Sequence, residues 1–289
     1  MNSITISMDP RITELFGRYP LEWHGIMVVL GLLGGLALTL YLAKKTGLAV
    51  QLAREDAISK GQNPDKVGNG IEILAGPIIA AMIGGIVFSR VFHVVDQWEI
   101  YSGDIKAIFS IWQGSSIVGV VVGAAIGGMI YARIAGWSWT KLVRIADIAA
   151  PGSILGMAIG RIGCFINGDA WGTATGLPWG LMYTHSNRQI QESASYVGHP
   201  TPVYEFIWDM LVLAVLLVFR KKLRPAGVSY MLYLSMYSLG RFMITFLRVN
   251  DPYLGSLKQA QVATLVIMLV CVPILIYLVM HKEQHKDYK

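Results

Sequence analysis

Three arginines stand inside long apolar runs of this chain: Arg90, Arg161 and Arg241. An arginine at membrane depth costs several kcal/mol unless it faces a bundle interior, water or an anion. Three of them in one chain therefore need a physical reason. A guanidinium grips phosphate through two parallel N–H bonds, and a low dielectric strengthens the attraction. Other polar groups stand where they can join such a site. His24 opens the first apolar run, Gln113 opens the third, and Glu205 and Asp209 lie in the first turns of the fifth. The chemistry these residue types share is capture of an anion just below a membrane surface. At that depth the anion is the phosphate of a lipid headgroup. A structural reading stays open, in which Arg161 and Arg241 simply pair with Glu205 and Asp209. For Arg90, a reach to the nearby interface or a pair with Asp96 is the plainer account.

The elements that position these groups are membrane helices. Hydrophobic residues make up 54% of the 289 residues and charged residues 15%, against about 25% charged in soluble domains. Such a chain cannot coat a water-soluble globule. Seven runs of spanning length, about 20 residues each, cover 24–43, 70–92, 113–135, 146–167, 203–219, 227–247 and 260–280. The expected fold is all-α: a polytopic membrane bundle of about seven transmembrane helices forming one domain over 1–289, with an extracytoplasmic loop region at 168–202. The first run is long enough to span and no cleavable signal peptide precedes it.

Basic residues orient the bundle. One side holds Lys44, Lys45, Arg54, Lys60, Lys66, Arg133, Lys141, Arg144, Arg220, Lys221, Lys222, Arg224, Lys282, Lys286 and Lys289. The other holds Arg11, Arg18, Lys106, Arg188, Arg248 and Lys258. This asymmetry places the N-terminus outside and the C-terminus in the cytoplasm. Arg161 and Arg241 then lie about six residues from the outer ends of their helices, roughly 9 Å deep at about 1.5 Å per residue. Glycines at four-residue spacing (Gly31 and Gly35; Gly119, Gly123 and Gly127; Gly152, Gly156 and Gly160) predict close helix packing. Residues 46–60 predict a short amphipathic helix on the cytoplasmic face.

Several other chemistries lack their residues. The net charge of +6 follows membrane topology, without the basic, aromatic-interleaved stripe of a nucleic-acid binder. Cys164 and Cys271 make neither a disulfide framework nor a zinc spacing. There is no GxSxG elbow, HExxH or GxxxxGK[ST] loop. Outer-half clustering and an odd helix count argue against a transporter with inverted repeats.

The segment Gly160-Arg161-Ile162-Gly163-Cys164-Phe165-Ile166-Asn167-Gly168-Asp169-Ala170-Trp171-Gly172 resembles the signature of prolipoprotein diacylglyceryl transferases, GR-x-G-N-F-x-N-x-E-x-x-G. Other stretches agree in order: Trp23-His24-Gly25, Ser89-Arg90-Val91-Phe92-His93, His199-Pro200-Thr201-Pro202-Val203-Tyr204-Glu205, and Tyr237-Ser238-Leu239-Gly240-Arg241-Phe242 followed by Phe246-Leu247-Arg248. The likeness spans roughly residues 20 to 280.

The resemblance implies an enzyme of the bacterial cell membrane in the first step of lipoprotein maturation. It moves the diacylglyceryl group of phosphatidylglycerol to the lipobox cysteine thiol of a prolipoprotein signal peptide, and needs no cofactor and no metal. By motif position it implies that Arg161 and Arg241 are catalytic. Asn167, Asp169 and Gly172 shape the loop after the fourth helix, and His24, Gln113, Glu205 and Tyr237 line or support the lipid pocket. Guanidiniums placed in advance stabilise the charge that grows on a departing phosphate, and a positive field favours the acceptor thiolate.

The chain departs from the pattern at several points, Asp169 in place of the signature's glutamate among them. Gln113 stands where the family has histidine, His24 where it has tyrosine, and Cys164 where it has asparagine. Gln113 cannot act as a base. His24 either relays a proton or makes a plain hydrogen bond, and Cys164 either faces the cavity or is a buried thiol. Two alternatives follow: a non-catalytic lipid-binding or lipid-moving protein on the same scaffold, or a transferase with a different acceptor.

Overall fold

The computed structural model describes residues 3–15, 19–109, 116–168, 170–184, 196–223, 225–250 and 252–281. Gln113 and Asp169 lie outside the described residues, as do the topology-bearing Arg18, Arg188, Arg224, Lys282, Lys286 and Lys289 and the middle of the 168–202 segment.

In chain order the elements are β1 (Ile4–Ile6), β2 (Arg11–Leu15), β3 (Tyr19–Glu22), α1 (Trp23–Lys45), α2 (Leu48–Ser59), α3 (Ala75–Asp96), α4 (Trp98–Tyr101), α5 (Ile105–Ile108), α6 (Ile117–Ile134), α7 (Trp139–Asn167), β4 (Leu181–Tyr183), α8 (Thr201–Phe219), α9 (Val228–Thr245), β5 (Pro252–Leu254), β6 (Leu257–Lys258) and α10 (Gln259–Met280). Among the described residues, five helices are long and apolar enough to cross a membrane: Trp23–Lys45, Ile71–Asp96, Trp139–Asn167, Thr201–Phe219 and Gln259–Met280. The protein is a polytopic membrane helix bundle. The apolar part of α6, Gly119–Ile134, is shorter. Along α9, Ser229, Ser235, Ser238, Arg241 and Thr245 interrupt the apolar character.

The chain forms two compact units, residues 1–39 with 146–289, and residues 40–145. In the first, α1 meets α7 through glycines. A methyl group on Gly31 would sit 2.5 Å from the Gly156 carbonyl oxygen, and one on Gly35 would sit 2.5 Å from that of Gly152. In lipid, where burying apolar surface gains little, such close contact is what holds helices together. Gly35→Val should therefore force the pair apart. Overpacking of this kind costs about 1–3 kcal/mol, read as a lowered unfolding midpoint in detergent. An unchanged midpoint would show that α1 is held elsewhere.

Ala150, Ile154, Val212, Leu213, Leu216 and Tyr233 form the buried centre where α7, α8 and α9 meet. Asp147 of α7 fixes the start of α9. Its carboxylate accepts the backbone N–H groups of Gly227 at 2.6 Å and Tyr230 at 2.8 Å, donors that the first turn of a helix otherwise leaves open. Asp147→Ala should cost about 1 kcal/mol, and hydrogen exchange should show the first turn of α9 opening.

Short strands close the end of this unit from which α7 exits and α8 begins. β1 pairs in parallel with β4, β2 with β3 antiparallel, and β5 with β6 antiparallel. The 168–202 segment, expected as a loop, thus carries strand structure.

In the second unit α3 packs on α6, with Gly84 against Gly123. The amphipathic helix expected near 46–60 is α2. It is held by Trp137 Nε1 donating to Asp56 at 3.0 Å and Arg144 donating to Glu55 at 2.9 Å. Burial pushes the Asp56 carboxyl up, but hydrogen bonds from Lys60 and Trp137 outweigh it and hold the group below the usual range. Arg90 is buried. It donates to the carbonyls of Ile108 at 2.8 Å and Ala107 at 2.5 Å, and its guanidinium lies over the Tyr101 ring.

Candidate active site

The site is built on one carboxylate. Glu205 stands in the second turn of α8, and its side chain is 4% exposed. Arg161 Nη1 from α7 lies 2.8 Å from Oε2. Arg241 from α9 donates to Oε1, and Arg248, just past the end of α9, approaches the same oxygen at 3.2 Å. Three guanidiniums thus converge on a single anion, leaving positive charge in excess. The two arginines within the helices were expected to meet here, and the structure brings them together. It supports part of the structural reading as well, since Glu205 does pair with both.

Pairing leaves donors over. The Nε groups of Arg161 and Arg248 are buried, and neither has a hydrogen-bond partner among the described residues. The Arg161–Glu205 contact is an ion pair without hydrogen-bond alignment, because Glu205 Oε2 also lacks a hydrogen bond. A buried N–H without an acceptor costs about 1–3 kcal/mol, so this arrangement fits an anion with more oxygens than one carboxylate supplies. A tight cavity, without room for a water molecule as it stands, adjoins the cluster, lined by Arg161, Glu205, Trp208, Asp209, Tyr237, Arg241 and Ile244.

Local sequence explains how each group is held. Gly240 precedes Arg241 because the Trp208 indole occupies the space of a side chain there, while Trp208 Nε1 donates to the Met236 carbonyl at 2.8 Å. Thr245 donates to the Arg241 carbonyl one turn back. Arg248 is fixed by backbone pairing. Gly172 bridges Arg248 antiparallel, with Thr173 N donating to the Leu247 carbonyl at 2.8 Å and Val249 N to that of Trp171 at 2.9 Å. Gly172 has no room for a Cβ, which would overlap the His199 backbone. Lys258 donates to the carbonyls of Thr245 and Arg248. Burial, and then the Arg248 charge, lower its ammonium below the ordinary lysine range.

Of the other expected site residues, Tyr237 lines the cavity. Asn167 is the buried last residue of α7. His24 is outside the cavity lining. In the first turn of α1, its Nδ1 lies 3.8 Å from Cys164 Sγ. Cys164 is half-buried and is not among the residues lining the cavity. Gln113 and Asp169 are outside the described residues. Arg248 was missed as a site residue because it sits beyond its apolar run and counted as a loop charge. Its spacing of two helical turns from Arg241 was the available signal.

An arginine cluster buried among membrane helices beside a small cavity defines a membrane protein that handles an anionic group. The sequence profile of the prolipoprotein diacylglyceryl transferase family matches residues 10–277. A phosphatidylglycerol–prolipoprotein diacylglyceryl transferase of Dehalococcoides mccartyi is 34% identical, with 96% of this chain and 97% of that protein covered. Proteins of the same name from Gloeobacter violaceus (34% identical, 90% and 88% covered) and Clostridioides difficile (34%, 90% and 91%) are also similar. The chain belongs to the prolipoprotein diacylglyceryl transferase family, and is a transferase.

Proposed function

We propose that this chain transfers the diacylglyceryl group of phosphatidylglycerol to the lipobox cysteine thiol of prolipoproteins, in the bacterial cytoplasmic membrane. The bundle is one transmembrane domain that spans seven times, N-terminus outside and C-terminus inside, so the arginine cluster opens towards the outer leaflet. The observation that carries the reading is the convergence of Arg161, Arg241 and Arg248 on Glu205 with guanidinium N–H groups to spare.

In this reading the lipid phosphate lodges at the arginine cluster, the tight cavity widening to admit it, and takes those donors. The acceptor sulfur attacks the terminal glyceryl carbon. A C–S bond forms, the C–O bond to phosphate breaks, and glycerol phosphate leaves with the bonding pair. Charge grows on the phosphate as the bond breaks, and Arg161 and Arg241 stabilise it in place. Holding lipid and peptide side by side supplies proximity. Tyr237 lines the lipid site and Glu205 sets the guanidinium geometry. Asn167 and Gly172 shape the loop after α7, which pairs with Arg248, and His24 supports the pocket, with roles there for Asp169 and Gln113 taken from their motif positions.

Purified protein in phosphatidylglycerol liposomes, given a lipobox peptide, should yield a thioether-linked diacylglyceryl peptide and free glycerol phosphate, both read by mass spectrometry. Glycerol phosphate released without peptide modification would point to a different acceptor. Lipid binding with neither product would point to a non-catalytic lipid protein.

A further inference from the structure

The transfer must dispose of the acceptor thiol's proton, and the residues so far placed on the phosphate cannot take it. Glu205 has both oxygens committed to guanidiniums, and Gln113 is not basic. One carboxylate in the cavity is uncommitted. Asp209 stands one helical turn beyond Glu205 on α8, is 2% exposed, and lines the same cavity as Arg161, Arg241 and Tyr237. Among the described residues its Oδ2 has no hydrogen-bond partner and no ion pair within 4 Å holds it. A buried carboxylate oxygen with nothing donating to it is costly and is kept for a reason beyond packing.

Resting on the transferase reading, we propose that Asp209 is the proton acceptor of the reaction. Its oxygen takes the proton from the acceptor S–H as the sulfur bonds to the glyceryl carbon. The departing phosphate oxygen, held by Arg161 and Arg241, receives the C–O electron pair. The proton then passes from Asp209 to that phosphate or to water, which returns the carboxylate. The groups facing Asp209 are Glu205 on its own helix, Arg161 on α7, and Arg241, Tyr237 and Tyr233 on α9. A proton gained by Asp209 passes to a phosphate held by the same two guanidiniums. General-base assistance contributes about 10²–10⁴ in rate.

The test compares the full-length protein and its Asp209→Asn variant on two peptides, one with lipobox cysteine and one with selenocysteine in its place. A selenol is ionised at neutral pH and needs no base. With the thiol peptide the variant should lose about a hundredfold or more in kcat, and its remaining rate should climb with pH towards the thiol's own ionisation, near pH 8.5. With the selenol peptide it should return to within about tenfold of the parent protein, an outcome that also shows the variant is folded. Thiol activity within about threefold of the parent would overturn the assignment. Equal loss on both peptides would overturn it too, leaving Asp209 a structural residue. If the parent protein modifies neither peptide, the transferase reading fails first and takes this inference with it.

Discussion

Arg161→Ala should abolish turnover, with kcat/KM falling about a thousandfold or more, while the bundle remains folded. The size follows from what the guanidinium does. Removing one donor to a developing oxyanion costs about 10²–10³, and an arginine acting on a phosphoryl group is worth about 10³–10⁵. Survival of the fold follows from the charge arrangement, because Glu205 keeps Arg241 and Arg248 when Arg161 is gone. Arg161→Lys is the sharper variant. It preserves the charge but loses the planar fork, so it should fall between alanine and the parent protein, by about a hundredfold. The readouts are glycerol phosphate release and the unfolding midpoint measured on the same preparation. Full activity in Arg161→Ala would remove the catalytic assignment. Equal loss of activity and of the midpoint would make Arg161 a structural residue.

Glu205→Gln should do the reverse, damaging stability before chemistry. Three guanidiniums surround this carboxylate at 12–14% side-chain exposure. Neutralising it removes the carboxylate they are paired with and leaves them repelling one another. Breaking a buried charge arrangement costs about 3–5 kcal/mol, or roughly 10 °C in midpoint. The variant should also respond to lipid differently. If the cluster is a phosphate site, added phosphatidylglycerol replaces the missing anion and should raise the midpoint of Glu205→Gln more than that of the parent. A variant that is equally stable, or no more responsive to lipid than the parent, would show that the carboxylate is not balancing these charges.

Much of this was legible in the residues. Long apolar runs are a strong signal, because a span must satisfy its backbone internally, and the observed helices overlap all seven runs. Their edges were less legible. The fourth run was placed at 146–167, whereas α7 begins at Trp139. Its first turns carry Lys141 and Arg144, so hydropathy fell off before the helix did. Arg161, Glu205 and Arg241 were visible because a charge in an apolar run contradicts its surroundings. Arg248 was not, because a charge outside such a run contradicts nothing. Its role comes from pairing between 171–173 and 247–249, a contact between distant parts of the chain, and the two-turn spacing from Arg241 was the one local hint of it. The same holds for β1 and β4, three residues each, too short to stand out and specified by a distant partner.

That last pairing bears on how the molecule is assembled. β1 is made before the helices, yet the strand it joins is synthesised only after α7 is complete. Loops that long close slowly, so the amino-terminal segment waits unpaired while the helices between enter the membrane. Arg161 waits as well, since its counter-ion arrives only with α8. Early in biogenesis, then, this protein exposes a lone strand edge and an uncompensated cation, and both are quenched by the same late stretch of chain.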